Sequence, residues 1–180
     1  EYLDNKMTTQ EEPIYGITTG FGSLCNISIS KEQLSLLQKN LVMSHACSGG
    51  ERVPAQIVKL MLLTKAHQLS YGYSGVQLVT VRRLIDFYNN DIVPVVFSQG
   101  SLGASGDLAP LANMCLPLLG LGEVEYDGRI RPSAEILDKF GWEPITLMSK
   151  EGLALLNGTQ FMSSHGVWSL IKARRLSRMA

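Results

Sequence analysis

Gly100-Ser101-Leu102-Gly103-Ala104-Ser105-Gly106-Asp107-Leu108-Ala109-Pro110-Leu111-Ala112 is the stretch on which the reading of this sequence turns. A serine between two small residues in a glycine-rich run usually marks a tight turn or a close backbone approach. A nucleophile elbow of the G-x-S-x-G type is a second reading. Gly103-Ala104-Ser105-Gly106-Asp107 misses its last glycine, and His45, His67 and His165 give no basis for choosing a triad base. A third reading uses all three central residues. Attack of the Gly106 amide nitrogen on the Ala104 carbonyl carbon closes a five-membered ring with loss of water. Loss of the Ser105 hydroxyl then leaves an exocyclic methylidene conjugated to that ring. Gly106 supplies an unhindered nitrogen, Ala104 an accessible carbonyl and Ser105 the leaving oxygen, and a strained backbone favours closure.

Outward from this stretch the pattern is mainly helical. Upstream, Glu1 to Glu12 is polar and reads as loose, and Tyr15 to Gly22 is a glycine-rich loop. Ser30 with Gln33 forms a capping box for a helix whose Leu34, Leu37, Leu41 and His45 recur at helical spacing until Gly49-Gly50. Pro54 suits the first turn of a second helix, running to about Tyr71. A third, about Val76 to Tyr88, places Leu78, Val81, Leu84 and Ile85 on one face, and Asp91 to Phe97 reads as a short strand. Downstream, Leu108 to Leu119 reads as a buried helix broken at Pro110 and Pro117. Gly122 to Pro132 alternates around Asp127-Gly128, which predicts a small β-hairpin. Ser133 and Ser149 each offer an N-cap, the first to a helix ending at Phe140 and the second to one ending at Asn157-Gly158. The last stretch, Gln160 to Met179, spaces its apolar residues to face a partner.

Composition excludes several classes. The 180 residues suit one domain, and 45% hydrophobic against 18% charged residues suffices for a core. Sixteen basic residues balance sixteen acidic ones, so no net field favours nucleic acid or an anionic membrane. Lys172, Arg174, Arg175 and Arg178 read as a solvated helix face. Cys25, Cys47 and Cys115 are odd in number without C-x-x-C, implying reduced thiols, a cytoplasmic setting and no structural metal. No apolar run approaches the ~20 residues of a membrane span.

The stretch from Gly100 to Ala112 resembles the signature of the aromatic amino acid ammonia-lyase family, and Tyr15 to Gly22, Leu41 to Gly50 and Glu151 to Gln160 resemble family segments in the same order. The resemblance implies the helical ammonia-lyase/fumarase-like fold. Family members are considerably longer, so residues 1–180 are expected to be an N-terminal catalytic segment without the central bundle and C-terminal part. The family's electrophile is a methylideneimidazolone (MIO), here implied for Ala104, Ser105 and Gly106, with no external cofactor and no metal.

By the same resemblance Tyr15 is a candidate acid/base, and Asn157 a hydrogen-bonding group near the MIO and the substrate. Read as bare residues, Tyr15 is a packing residue and Asn157 a helix C-cap. Ser44-His45 falls at the family's selectivity positions. Histidine-specific members carry Ser-His there, although some tyrosine aminomutases do too. As a bare feature, a histidine on an apolar helix face is a core residue; on a pocket wall it exchanges a hydrogen bond with an imidazole substrate. Thr18, in Tyr15-Gly16-Ile17-Thr18-Thr19, departs toward phenylalanine lyases and aminomutases, since histidine-specific enzymes commonly have Asn there. His45-Ala46-Cys47-Ser48-Gly49-Gly50 departs from the usual Gly-Val-Gly ending. The expectation is ammonia elimination from histidine to give trans-urocanate, in a homotetramer with active sites shared between subunits and the isolated segment inactive. The alternatives are a tyrosine or phenylalanine lyase, a 2,3-aminomutase, or an inactive helical assembly subunit.

Overall fold

A computed structural model describes residues 2–9, 12, 14, 17–19, 31–100 and 105–180. Tyr15, Cys25, Ser30 and Ala104 lie outside the described residues, and so does most of the glycine-rich loop. The fold is mostly helix with two small antiparallel sheets. In chain order the elements are α1 (Tyr2–Thr9), α2 (Lys31–His45), β1 (Gly49–Arg52), α3 (Ala55–Ser70) and α4 (Leu78–Asn89). After them come β2 (Val93–Pro94), β3 (Phe97–Gln99), α5 (Leu108–Cys115), a 3-10 turn (Leu116–Leu119), β4 (Glu123–Tyr126) and β5 (Arg129–Pro132). The last three are α6 (Ser133–Lys139), α7 (Glu151–Leu156) and α8 (Gln160–Met179).

α3 is the central helix, packed against α4 and α8. Its Val58, Met61 and Leu62 are fully buried with Leu111 and Met114 of α5 and Leu155 of α7. Each such side chain contributes about 1.5–3 kcal/mol relative to exposure. Asp127 and Gly128, both at positive φ, make the expected β4–β5 hairpin, with Tyr126 paired to Arg129. β2 adds to β4 as an edge strand, a position that tolerates Pro94.

Several local expectations are corrected. The polar opening is not loose but contains the helix α1, with Leu3 and Met7 one turn apart against Ile17 and Leu78 across a cavity of about 660 Å³. Pro54 is the N-cap of α3, one position before its first turn. Asp91 to Phe97 is not one strand: β2 and β3 join different sheets, and Gly49-Gly50 belongs to β1, which pairs with β3. The buried face of α4 is Thr80, Arg83, Leu84 and Phe87, while Leu78 and Ile85 are exposed. Arg83 is drawn inward because it stacks on Trp142 at 4.9 Å and donates to the Glu143 carbonyl at 3.1 Å. Pro110 does not break α5, since it lies in the first turn, where no helical N–H bond is lost. Pro117 does mark a change, opening the 3-10 turn. Ser133 does not cap α6: Pro132 is the N-cap, and the Ser133 hydroxyl donates to the Leu121 carbonyl at 2.7 Å. Nor does Ser149 cap α7, whose N-cap is Lys150 at φ 69.

Candidate active site

The signature stretch enters the described structure at Ser105, which is exposed. Gly106 has φ +124, and a Cβ there would lie 2.1 Å from the Gly158 carbonyl oxygen. Only glycine permits so close an approach. It lets Gly106 form a parallel bridge with Gly158, and the Asp107 N–H donates to the same Gly158 carbonyl at 2.8 Å. Asp107 also reaches forward. Its Oδ2 accepts from the Met162 N–H at 3.0 Å, in the first turn of α8. The carboxylate satisfies an otherwise unpaired helix donor and complements the helix dipole. The segment after Ser105 is therefore pinned between the end of α7 and the start of α8.

Asn157 is the C-cap of α7, with extended backbone at φ −90 and ψ 132. Its carbonyl accepts from Lys65 Nζ at 2.8 Å, and the Ala154 carbonyl accepts from the same nitrogen at 2.9 Å. Gln68 Oε1 stands 3.4 Å away as a third acceptor. Lys65 is fully buried in the middle of α3. Desolvation lowers its pKa to about 8, with the neighbouring Cys115 thiol acting in the opposite sense. Burial pushes Cys115 up to about 12, the Lys65 charge opposing, so its thiol stays protonated. The ammonium thus caps the C-terminal carbonyls of α7 from inside the core. Asn157 and Gly158 also line an open cavity of about 210 Å³ with Gln68, Ser74 and Lys150.

The other end of α7 is held by Glu151, also fully buried. Its Oε1 accepts from the Gln77 N–H at 2.7 Å and the Thr80 hydroxyl at 2.8 Å. Oε2 accepts from Gln77 Nε2 at 2.6 Å and the Met148 N–H at 2.7 Å. One carboxylate thereby ties α7 to the start of α4. The Gly152 N–H donates to Gln38 Oε1 at 3.0 Å, joining α7 to α2.

Ser44 and His45 form the last turn of α2. His45 Nδ1 lies 2.8 Å from the Leu41 carbonyl, which also accepts from the Ser44 hydroxyl at 3.0 Å. A carbonyl oxygen only accepts, so Nδ1 carries the hydrogen and Nε2 of the neutral ring is left as an acceptor. His45 is half-buried beside the stripe Leu34, Gln38 and Val42 rather than within the core. Beyond it, Ser48 accepts from Asn113 Nδ2 on α5 and closely flanks Gly100, where a Cβ would meet the Ser48 Oγ at 3.0 Å. The end of α2 is thus carried to both sides of the signature stretch. No hydrogen bond among the described residues joins Ser44 or His45 to Ser105 or Asn157.

The pattern of the family described as aromatic amino acid lyase matches residues 1–180. This chain belongs to the aromatic amino acid lyase family. It is 53% identical over 154 residues to a histidine ammonia-lyase of Deinococcus radiodurans, a match covering 86% of this chain and 29% of that protein. Among solved structures it is similar to histidine ammonia-lyase from Trypanosoma cruzi, with a TM-score of 0.88 and 37% identity over 98% of this chain and 34% of that one. It is also similar to the Pantoea agglomerans phenylalanine aminomutase, with a TM-score of 0.89 and 35% identity over 97% of this chain and 34% of that one. The chain spans about a third of the length of these relatives.

Within this member of the aromatic amino acid lyase family, Gly106 and Asn157-Gly158 come together as neighbours. Lys65, Glu151 and Asp107 are the residues that sequence reading missed. A lysine or glutamate in a helix reads as solvated unless its partners are known, and the two carbonyls that bind Lys65 lie at the end of α7, far along the chain. Asp107 directly before α5 resembles an N-cap, yet its carboxylate serves α8. Thr18, noted as a departure, accepts the Ile14 N–H on its hydroxyl at 2.8 Å, so its role among described contacts is to close a local turn. Cys47 and Cys115 are free thiols. Among the described residues no cluster of His, Cys, Asp and Glu could hold a metal, and no helix is long and apolar enough to cross a membrane.

Proposed function

We propose that this chain is the N-terminal part of a histidine ammonia-lyase, which eliminates ammonia from L-histidine to give trans-urocanate. The observation that carries the reading is the Gly106–Gly158 approach. The backbone at Gly106 has no room for a side chain, which is what an amide nitrogen free to attack the Ala104 carbonyl requires. Ala104, Ser105 and Gly106 fit the group they are proposed to form, a methylideneimidazolone made from the chain itself without external cofactor or metal. That electrophile, once formed, supplies the capture of the substrate amine that makes ammonia a competent leaving group.

The remaining tasks fall to side chains. Tyr15 is the proposed acid/base for the β-proton or the departing amine. Asn157 orients groups beside Gly106, since its N–H donates to the Leu153 carbonyl and its own carbonyl accepts from Lys65. His45 sets specificity: with Nδ1 committed to Leu41, Nε2 accepts an N–H from the substrate ring, and a ring without a donor leaves it unpaired. Ser44 keeps that arrangement through the shared Leu41 carbonyl. Similarity at 53% identity to the histidine ammonia-lyase of Deinococcus radiodurans supports the same substrate. The proposed setting is cytoplasmic and the proposed assembly a homotetramer. A second reading, a phenylalanine or tyrosine lyase or aminomutase, is favoured by Thr18 and by the likeness to the phenylalanine aminomutase. An assay of the full-length protein with histidine, tyrosine and phenylalanine separates the two. Urocanate from histidine as the dominant product is expected; an aryl acrylate or a β-amino acid with no urocanate would sink the histidine reading.

A further inference from the structure

Lys65 lies outside every segment that carries the family signature, yet its only described polar partners converge on the site. Three acceptors surround Nζ: the carbonyls of Ala154 and Asn157 at 2.9 and 2.8 Å, and Gln68 Oε1 at 3.4 Å. They match the three N–H bonds of an ammonium. Two of them are last-turn carbonyls of α7, which have no helical donor of their own. The next residue, Gly158, supplies the carbonyl that binds the Asp107 N–H and the backbone that bridges Gly106.

The chain of contacts therefore runs Lys65, Asn157, Gly158, then Gly106 and Asp107, with a single peptide link between the lysine's acceptor and the signature's partner. A core in which Lys65 were solely a filler would place a leucine or methionine there at lower desolvation cost. Retaining a buried cation makes physical sense where the carbonyls it binds must not move. The Gly106–Gly158 contact is such a place, because a Cβ at Gly106 would lie only 2.1 Å from the Gly158 oxygen and small shifts alter it.

We propose that Lys65 is a positioning residue: by clamping the Ala154 and Asn157 carbonyls, it fixes Asn157-Gly158 against Gly106 and so sets the backbone geometry in which Ala104-Ser105-Gly106 cyclises. This rests on the ring-forming reading above. It adds that closure depends on a cation in α3 whose described hydrogen bonds go to Gln68, Ala154 and Asn157 and not to Ser105 or Gly106.

The test is the rate at which the full-length protein loses two waters from the peptide containing Ser105, followed by mass spectrometry after expression is induced. Lys65→Met removes all three donors. Lys65→Gln keeps a neutral amide that can reach one carbonyl, so a folded variant is available if the methionine variant does not fold. Leu84→Ala, a fully buried position on α4, is the control for destabilisation alone. Folded Lys65 variants are expected to cyclise roughly tenfold or more slowly, as small misplacements of reacting groups commonly do. Leu84→Ala is expected to lose as much Tm and keep the wild-type rate. Wild-type cyclisation in a folded Lys65 variant, or equal slowing in Leu84→Ala, overturns the positioning role alone. A wild-type protein that never loses the two waters overturns the ring-forming reading, and the role of Lys65 with it.

Discussion

The junction around α7 and the far half of α8 invert the usual distribution of polarity. At the junction, Lys65 and Glu151 are completely buried, whereas Leu170, Leu176 and Met179 of α8 are 71%, 66% and 83% exposed. Buried charges are tolerated where every donor and acceptor finds a partner, as at Glu151 with four donors and Lys65 with three acceptors. Exposed apolar side chains impose no such local requirement, though apolar surface left in water favours association. The polar junction is thus a finished piece of interior that stands beside the candidate site. The α8 surface is finished only at its start, where Gln160 and Ser164 are buried.

The contrast is broken most severely at Glu151. Glu151→Gln swaps an acceptor for a donor among Gln77, Thr80 and Met148, leaving at least one buried N–H unpaired. A loss of about 1–3 kcal/mol is expected, read from the urea midpoint at unchanged m-value. A neutral result would mean that the network contributes nothing net.

A second comparison separates Lys65 from Cys115 by pH. Lys65 titrates at about 8 in the fold against an ordinary 10.5, so its contribution to stability is present above 10.5 and lost as pH falls through about 8. Cys115 runs the other way. Its folded value of about 12 lies above the ordinary 9.0, so its contribution is full below 9 and declines as pH rises toward 12. Subtracting the stability curve of Cys115→Ala from that of the wild type should leave a difference that falls with rising pH above 9. A flat difference would place the thiol in contact with water.

The smallest change in fold stability is expected on α8. Leu170→Glu with Leu176→Glu should alter the stability of the 180-residue chain by no more than about 0.5 kcal/mol per substitution, while light scattering reports less self-association. A large loss of stability would show that these side chains already pack on something within the chain.

The two regions also differ in how far they could be read beforehand. The apolar spacing of Gln160 to Met179 is a local signal, and α8 follows it with its apolar side chains exposed. The hairpin at Asp127-Gly128 was equally legible, since both turn residues take the positive φ that such a pair favours. The opening helix α1 had a local signal too, Leu3 and Met7 at one-turn spacing, outweighed by polar composition. The junction was legible only in part: Asn157 was singled out, but Lys65 and Glu151 were not. Nothing within several residues of either distinguishes it from a solvated side chain.

What the amino-acid order alone determined is the helical class, the hairpin, and the set of residues proposed to close a ring, because propensity, turn chemistry and the covalent neighbours of Ser105 are local properties. Which glycine faces Gly106, which helix the Asp107 carboxylate caps, and which charges lie in the core were decided by the tertiary structure alone. Those outcomes depend on backbone groups from distant segments meeting within hydrogen-bond range, and a buried charge persists only where they do.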